Sequence, residues 1–257
     1  MTRPPHLAKE MALFLDFDGT LVELAHTPGA VAVSDQLIPT LQEVQDHLDG
    51  ALAVVSGRDV RDIDRFLDPL TLPAAGLHGL QRRLTVGGEL EAAKVWPGVA
   101  ELRQDILLSG ILTDGVNLED KGSALCVHYR AAPDREEEVR ARVVEMTARF
   151  PSLHAIFGNM VVEAKPTAED KGTAVRRFLE TPAFKGRLPV FIGDDVTDED
   201  GIAAVQALGG YGIKVGAQDS AAFFRLPTVK DVHDWLAQAN DIVSLENQRL
   251  RSQHDAP

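Results

Sequence analysis

A single cysteine, Cys126, stands in a chain of 257 residues, so no disulfide within the chain can brace the fold. No apolar run approaches the ~20 residues of a membrane-spanning helix. Near the N-terminus, MALFLDFDG is too short an apolar stretch for a signal sequence and carries acids, so a cytoplasmic location is the expectation. Basic residues are in deficit: 26 Lys and Arg against 39 Asp and Glu give a formal net charge of -13. No basic stripe interleaved with aromatics offsets that excess, and such a surface repels both a nucleic-acid backbone and an anionic bilayer. The 21 glycines and 14 prolines follow no period, which excludes collagen and solenoid architectures. What remains is an ordinary globular composition, 44% hydrophobic and 25% charged, long enough for one large domain or two modest ones. A small phosphorylated substrate stays compatible with the acidity, because a bound divalent cation inverts the field of an acidic site.

Short apolar strands alternate with helical patterns at both ends of the chain. Met11 to Leu15 reads as a strand, Leu37, Leu41, Val44 and Leu48 share a helix face, and Ala51 to Val55 is a second strand. Later come a helix over Lys171 to Glu180, the strand LPVFI, a helix from near Asp200, the strand GIKVG and a short helix over Asp231 to Ala239. This grammar predicts an α/β fold, a parallel sheet covered by helices. Between about Gly87 and Lys165 the pattern changes. Helices over Val99 to Leu108 and Glu136 to Phe150, with Pro133 early in the latter, are mixed with SALCVHYR, LHAIF and MVVEAK as antiparallel strands and FGN as a turn. The expected division is a discontinuous core, 1–87 and 165–257, around an α+β insert, 88–164. Cys126, inside a strand, reads as a small core hydrophobe. The tail beyond Asn240 offers few core anchors and is expected to fray.

Three loops at strand ends carry chemistry. DFDGT, Asp16 to Thr20, follows the first strand, at the carboxyl edge where ligands bind in open α/β sheets. Gly19 there supplies a tight turn able to bring backbone N–H groups toward a phosphate. SGR follows the second strand, where the Ser56 hydroxyl suits a phosphoryl oxygen and Arg58 either orients substrate or caps the next helix. GDDVTDED follows LPVFI, with four acidic residues within six positions. Such crowding is costly unless a cation sits among the carboxylates, and oxygen-only ligands suit hard Mg2+. Asp194 is the expected direct ligand. Asp198 acts through water or by orienting the other ligands, with Asp195 as its rival.

The strand followed by DxDGT resembles the signature of the haloacid dehalogenase-like phosphohydrolases. The resemblance implies a Rossmann-like core with an inserted C2-type cap. It makes Asp16 the nucleophile, Asp18 the general acid and base, and Lys171 the lysine that neutralises the transferring group, with Lys165 as a rival. Asp16, Asp18, Asp194 and Asp198 would hold Mg2+. Ser56, Gly19, Thr20, Gly57 and Arg58 would meet the phosphate. With GLHG and the pieces VNLEDKG, CVHYR and VVEAKPTAEDKG, the sequence from about Ala12 to Trp235 is similar to the trehalose-6-phosphate phosphatase family. That likeness maps sugar and phosphate contacts onto Glu119, Lys121, His128, Arg130, Glu163 and Lys165, with Asn117 and His78 as weaker candidates. It implies a phosphorylated disaccharide as partner, no nucleic acid or membrane, and a monomer, with oligomers left open. Gln81 departs from the family, which often has an acid there. The alternatives are a phosphatase for another sugar phosphate, such as sucrose 6-phosphate or a glycosylglycerate phosphate, and an inert sugar-phosphate sensor.

Overall fold

The computed structural model describes residues 2–25, 28–91, 96–158 and 160–238. The expected fraying tail, the end of the last helix at Ala239 and the third residue of the FGN turn lie outside the described residues. The chain divides into two compact units, one drawn from Met1–Leu90 and Asp170–Pro257, the other from Glu91–Glu169.

The first unit begins with β1 (Met11–Leu15), α1 (Leu37–His47), β2 (Leu52–Val55), α2 (Val60–Leu67), β3 (Ala74–Gly76) and β4 (Gln81–Arg83). The second unit follows with α3 (Val99–Leu108), β5 (Asn117–Asp120), β6 (Leu125–His128), α4 (Glu136–Thr147), β7 (Leu153–Gly158) and β8 (Val161–Pro166). The chain then returns to the first unit through α5 (Lys171–Leu179), β9 (Leu188–Gly193), α6 (Glu199–Ala207), β10 (Tyr211–Val215) and β11 (Phe224–Leu226), with a further helical segment over 229–238.

The first unit is built on a seven-stranded sheet in the order β11-β10-β9-β1-β2-β3-β4. All neighbours run parallel except β4, which is antiparallel to β3. Every residue of β1, β2 and β10 is buried, as is all of β9 after Leu188. Continuous apolar runs of this kind belong to parallel strands covered on both faces. Phe14 stacks on Phe184 at 5.5 Å between centroids, and Phe178 of α5 meets both rings. The strand order reverses direction between β1 and β9, the crevice in which such sheets place their ligands. Among the described residues, no helix is long and apolar enough to cross a membrane.

The second unit has its own four-stranded antiparallel sheet, β5-β6-β8-β7. One face carries Leu125, Val127, Val162 and Ala164 against Val99, Leu102, Val139 and Val143 of α3 and α4. The helical stripe expected from Glu136 ends at Thr147, and Pro133 opens a short 3-10 turn rather than the α-helix itself. β8 continues through Lys165 and Pro166, so this unit extends beyond residue 164.

α5 and α6 approach closely enough that a Cβ on Gly172 would lie 2.5 Å from the Asp200 carbonyl oxygen. Backbone cannot yield as a side chain can, so Gly172→Ala must push α5 away from α6. We expect a loss of about 1–3 kcal/mol in stability, read by thermal or urea unfolding. An unchanged unfolding midpoint would show that the helices are not held at this spacing.

Candidate active site

Asp16 is the first residue past β1, and its N–H donates to the Ile192 carbonyl of β9 at 2.9 Å. The pairing of two neighbouring parallel strands therefore continues into the acidic residue and fixes its backbone. Gly19 closes the loop with φ at +76°, a conformation that side chains disfavour. A Cβ there would fall 2.1 Å from the Asp194 carboxylate, so glycine also makes room for the loop after β9. The amide of Gly19 donates to Val22 O at 2.8 Å. That bond closes the tight turn expected of the glycine. Thr20 is fully buried, and its Oγ1 has no hydrogen-bond partner among the described residues.

Lys171 opens α5, whose first turn is capped by Asp170 accepting from Thr173 N–H at 2.6 Å. The buried ammonium donates to Asp16 Oδ1 at 2.7 Å and to Asp198 Oδ1 at 2.6 Å. Burial alone would lower its pKa, but Asp16 and Asp198 hold it above the ordinary value. Lys165, the sequence rival, instead donates to the Glu169 carbonyl at 3.2 Å within the second unit.

Oxygens of Asp16, Asp194 and Asp198 lie within 4.8 Å of one another. Burial and the neighbouring Asp198 push the Asp16 carboxyl well above its ordinary range, with Lys171 opposing. Three carboxylates around one ammonium leave a surplus of negative charge that a divalent cation would offset, and the oxygen-only donors fit a hard one. Asp198 is fully buried, and its Oδ2 accepts from Asp195 N–H at 2.9 Å. Asp195 spends its own carboxylate on the Val196 N–H at 2.7 Å, forming a reciprocal capping box with Asp198. Asp198, not Asp195, therefore stands with Asp16 and Asp194.

Asp18 points elsewhere. Its carboxylate is held by both Nε and Nη2 of Arg58, at 2.5 and 2.6 Å. The guanidinium lies over Phe17 and Phe66, 5.6 and 5.0 Å from their centroids. Capping of α2 falls to Asp59, which accepts from Arg61 N–H at 2.8 Å. Ser56 is buried at the end of β2, with Oγ accepting from Arg58 N–H at 3.2 Å. Gly57 packs against the His78 ring, and His78 sits in a left-handed backbone conformation with φ at +55°. Gln81 accepts from Val60 N–H at 3.1 Å and donates to Asp59 at 2.8 Å, so its amide ties β4 to the start of α2. An acid there could accept but not donate, which gives the departure at this position a structural reason.

Sequence reasoning missed Lys214. Buried one residue before the end of β10, it donates to the Asp194 carbonyl at 2.6 Å and lies 3.8 Å from Glu199 Oε1. The available signal was the lysine itself, since an ammonium inside an otherwise apolar parallel strand must find oxygens.

The second unit gathers the other candidates on the polar face of its sheet. Glu119 lies opposite Cys126, Cys126 opposite Glu163, and Asn117 opposite His128. His128 Nε2 meets Glu119 Oε2 at 2.8 Å, a bond that holds the Glu119 carboxyl below its ordinary value. Burial opposes the charge on Lys121, but Glu163, Cys126 and Glu119 together raise its pKa. Arg130 is exposed in the turn after β6. Cys126 is buried as expected but sits among charged groups rather than in the apolar cluster.

One consequence is measurable without substrate. Burial, with Asp198 and Asp195 beside it, pushes Asp194 from 3.8 to about 7. A carboxyl with a raised folded-state pKa holds more protons folded than unfolded, so the metal-free fold loses stability as pH climbs between those values. Denaturant unfolding in chelator should show that decline, and Asp194→Asn should make it shallower. An equally steep decline in the variant would remove Asp194 as its source.

Comparison with known proteins points to one family. The chain matches the trehalose-phosphatase family over residues 14–230. It is 36% identical over 254 residues to the trehalose-6-phosphate phosphatase of Escherichia coli K12, covering 98% of this chain and 95% of that one. The C-terminal domain of the C. albicans trehalose-6-phosphate phosphatase superposes with a TM-score of 0.78 at 21% identity, over 90% of this chain and 92% of that one. A haloacid dehalogenase-like hydrolase from B. subtilis gives a TM-score of 0.65 at 14% identity, over 90% and 99% of the two chains. These last two show likeness of fold. With the match spanning most of the sequence and its strand-end acids gathered around one lysine, the chain belongs to the trehalose-phosphatase family.

Proposed function

We propose that the chain hydrolyses trehalose 6-phosphate to trehalose and inorganic phosphate, with Mg2+ as its metal. The observation that carries the chemistry is the convergence of Asp16, Lys171, Asp194 and Asp198 at adjacent strand ends. The substrate is supported by a relative of that name aligned along nearly the whole chain.

In this reading an Asp16 oxygen attacks phosphorus in line with the bond to the sugar oxygen. That bond breaks, and Asp18 delivers a proton to the departing alcohol. Water then attacks the phosphorus of the aspartyl-phosphate and gives a proton to Asp18, and the bond to Asp16 breaks to free phosphate. Lys171 keeps Asp16 oriented and balances charge gathering on the phosphoryl oxygens. Asp16, Asp194 and the main chain of Asp18 would hold Mg2+, which would supply positive charge to the same oxygens. Both oxygens of Asp198 already accept from protein donors, so we assign it to orienting Lys171 and the loop rather than to direct ligation.

Arg58 presents a planar fork that suits a carboxylate or a phosphate equally well. An arriving phosphate would draw it from Asp18 and release that carboxyl for proton transfer. Ser56 and the loop residues Thr20 and Gly57 complete the phosphate contacts. We assign sugar recognition to Asn117, Glu119, Lys121, His128, Arg130, Glu163 and Lys165. Their carboxylates accept from paired hydroxyls, and their cations serve anionic oxygens.

Phosphate release from trehalose 6-phosphate, sucrose 6-phosphate and glucose 6-phosphate tests the assignment. Turnover should favour the first and vanish in chelator; equal rates on all three esters would overturn the substrate. Asp16→Asn should lower kcat by roughly 10^3-fold or more while keeping the folded circular-dichroism spectrum. Retained turnover would exclude Asp16 as nucleophile.

A further inference from the structure

We propose that Glu119, Cys126 and His128 form a second metal site, selective for a thiophilic divalent cation such as Zn2+. The three side chains stand on one face of the antiparallel pair β5 and β6. Glu119 is directly opposite Cys126, and His128 lies two residues further along the same strand. A carboxylate oxygen, the thiol sulfur and an imidazole nitrogen all come within 4.8 Å of one another. This donor set differs in kind from the one at Asp16, Asp194 and Asp198. Oxygen ligands alone select a hard cation, whereas sulfur, nitrogen and oxygen together suit zinc, whose protein sites draw on cysteine, histidine and carboxylate. Among the described residues, these two donor sets differ in softness, and one lies in each unit.

The electrostatics favour a cation at this place. Glu163, opposite Cys126 on β8, adds a second carboxylate that acts on both Glu119 and Cys126. Lys121 supplies the positive charge that Glu163, Cys126 and Glu119 surround. A cation bound to the thiolate takes over that neutralising position. Burial, with Glu163 beside it, pushes the Cys126 thiol up, so without metal the sulfur stays protonated and a poor nucleophile. On binding, Cys126 gives its proton to solvent and its sulfur lone pair to the metal. His128 gives up its contact with Glu119, and each of the two donates a lone pair; no electron is transferred. Three protein ligands leave one tetrahedral position for water or for Glu163.

Glu119 and His128 are among the groups to which sugar recognition is assigned, so an occupied site should block the substrate. That consequence rests on the proposed function, whereas metal binding itself does not.

Co2+, which reports zinc-type sites by its spectrum, should be titrated into the full chain held in excess Mg2+ to occupy the oxygen-only cluster. A thiolate-to-cobalt charge-transfer band should rise in the near ultraviolet, saturate at one ion per chain and be displaced by Zn2+. The sequence contains one cysteine, so the band can come from no other residue. Cys126→Ala and Cys126→Ser should both abolish it while keeping the melting curve and the Mg2+-dependent phosphate release of the parent. Zinc inhibition should weaken by at least about tenfold in both variants, since losing a ligand costs no less than losing its supporting contacts. Absence of the band in the parent protein overturns the site, and so does a band of equal strength in Cys126→Ala. A failure to hydrolyse trehalose 6-phosphate, by contrast, leaves the cobalt readout intact.

Discussion

The ammonium of Lys171 is the point on which the first unit's chemistry turns. It reaches Asp16 across 155 positions of sequence and Asp198 across 27, and it does so from the opening turn of a helix. A cation is poorly placed at a helix N-terminus, where the backbone already presents positive partial charge. Two buried carboxylates reverse that preference. They in turn would repel each other without the lysine; burial first, and Asp198 second, raise the Asp16 carboxyl while Lys171 opposes them. Neither half of the arrangement is stable alone, so each fixes the position of the other.

The surrounding fold keeps this balance from relaxing. The close approach at Gly172 sets how far α5 stands from α6, and hence where the lysine stem begins. Pairing between β1 and β9 carries Asp16 and the Asp194 loop to the same edge of the sheet. Gly19 lets the two loops interlock where any side chain would collide with Asp194. The capping box of Asp195 and Asp198 opens the turn into α6 and leaves Asp198 one oxygen for Lys171. Packing therefore converts strand order into an electrostatic geometry.

The parts readable from sequence were those in which burial and chemistry coincide. Strands β1, β2 and β9 are apolar throughout, and the residue just past each is polar or acidic, so DFDGT, SGR and GDDVTDED could be placed at strand ends from the letters alone. β5 is not legible as a strand, because NLED is an exposed, mostly polar edge with no apolar alternation. β3 and β4 are three residues each, too short for a period to show. Side-chain choices were hidden for another reason: they depend on partners distant in sequence. Nothing local says that Arg58 turns to Asp18 rather than capping α2, that Gln81 ties β4 to α2, or that the Gly19 amide is consumed by Val22. The rivalry of Lys165 with Lys171 likewise needed the second sheet, where β8 carries Lys165 into a different unit.

Lys214 grips the Asp194 loop by its carbonyl rather than by its carboxylate. A carbonyl does not titrate and does not compete for an incoming ion. The hydrogen bond to the carbonyl therefore forms whether or not the Asp194 carboxyl is ionised, while the charge of the ammonium favours the ionised form. The loop is thus fastened by its main chain, and its acidic side chains stay available to other partners.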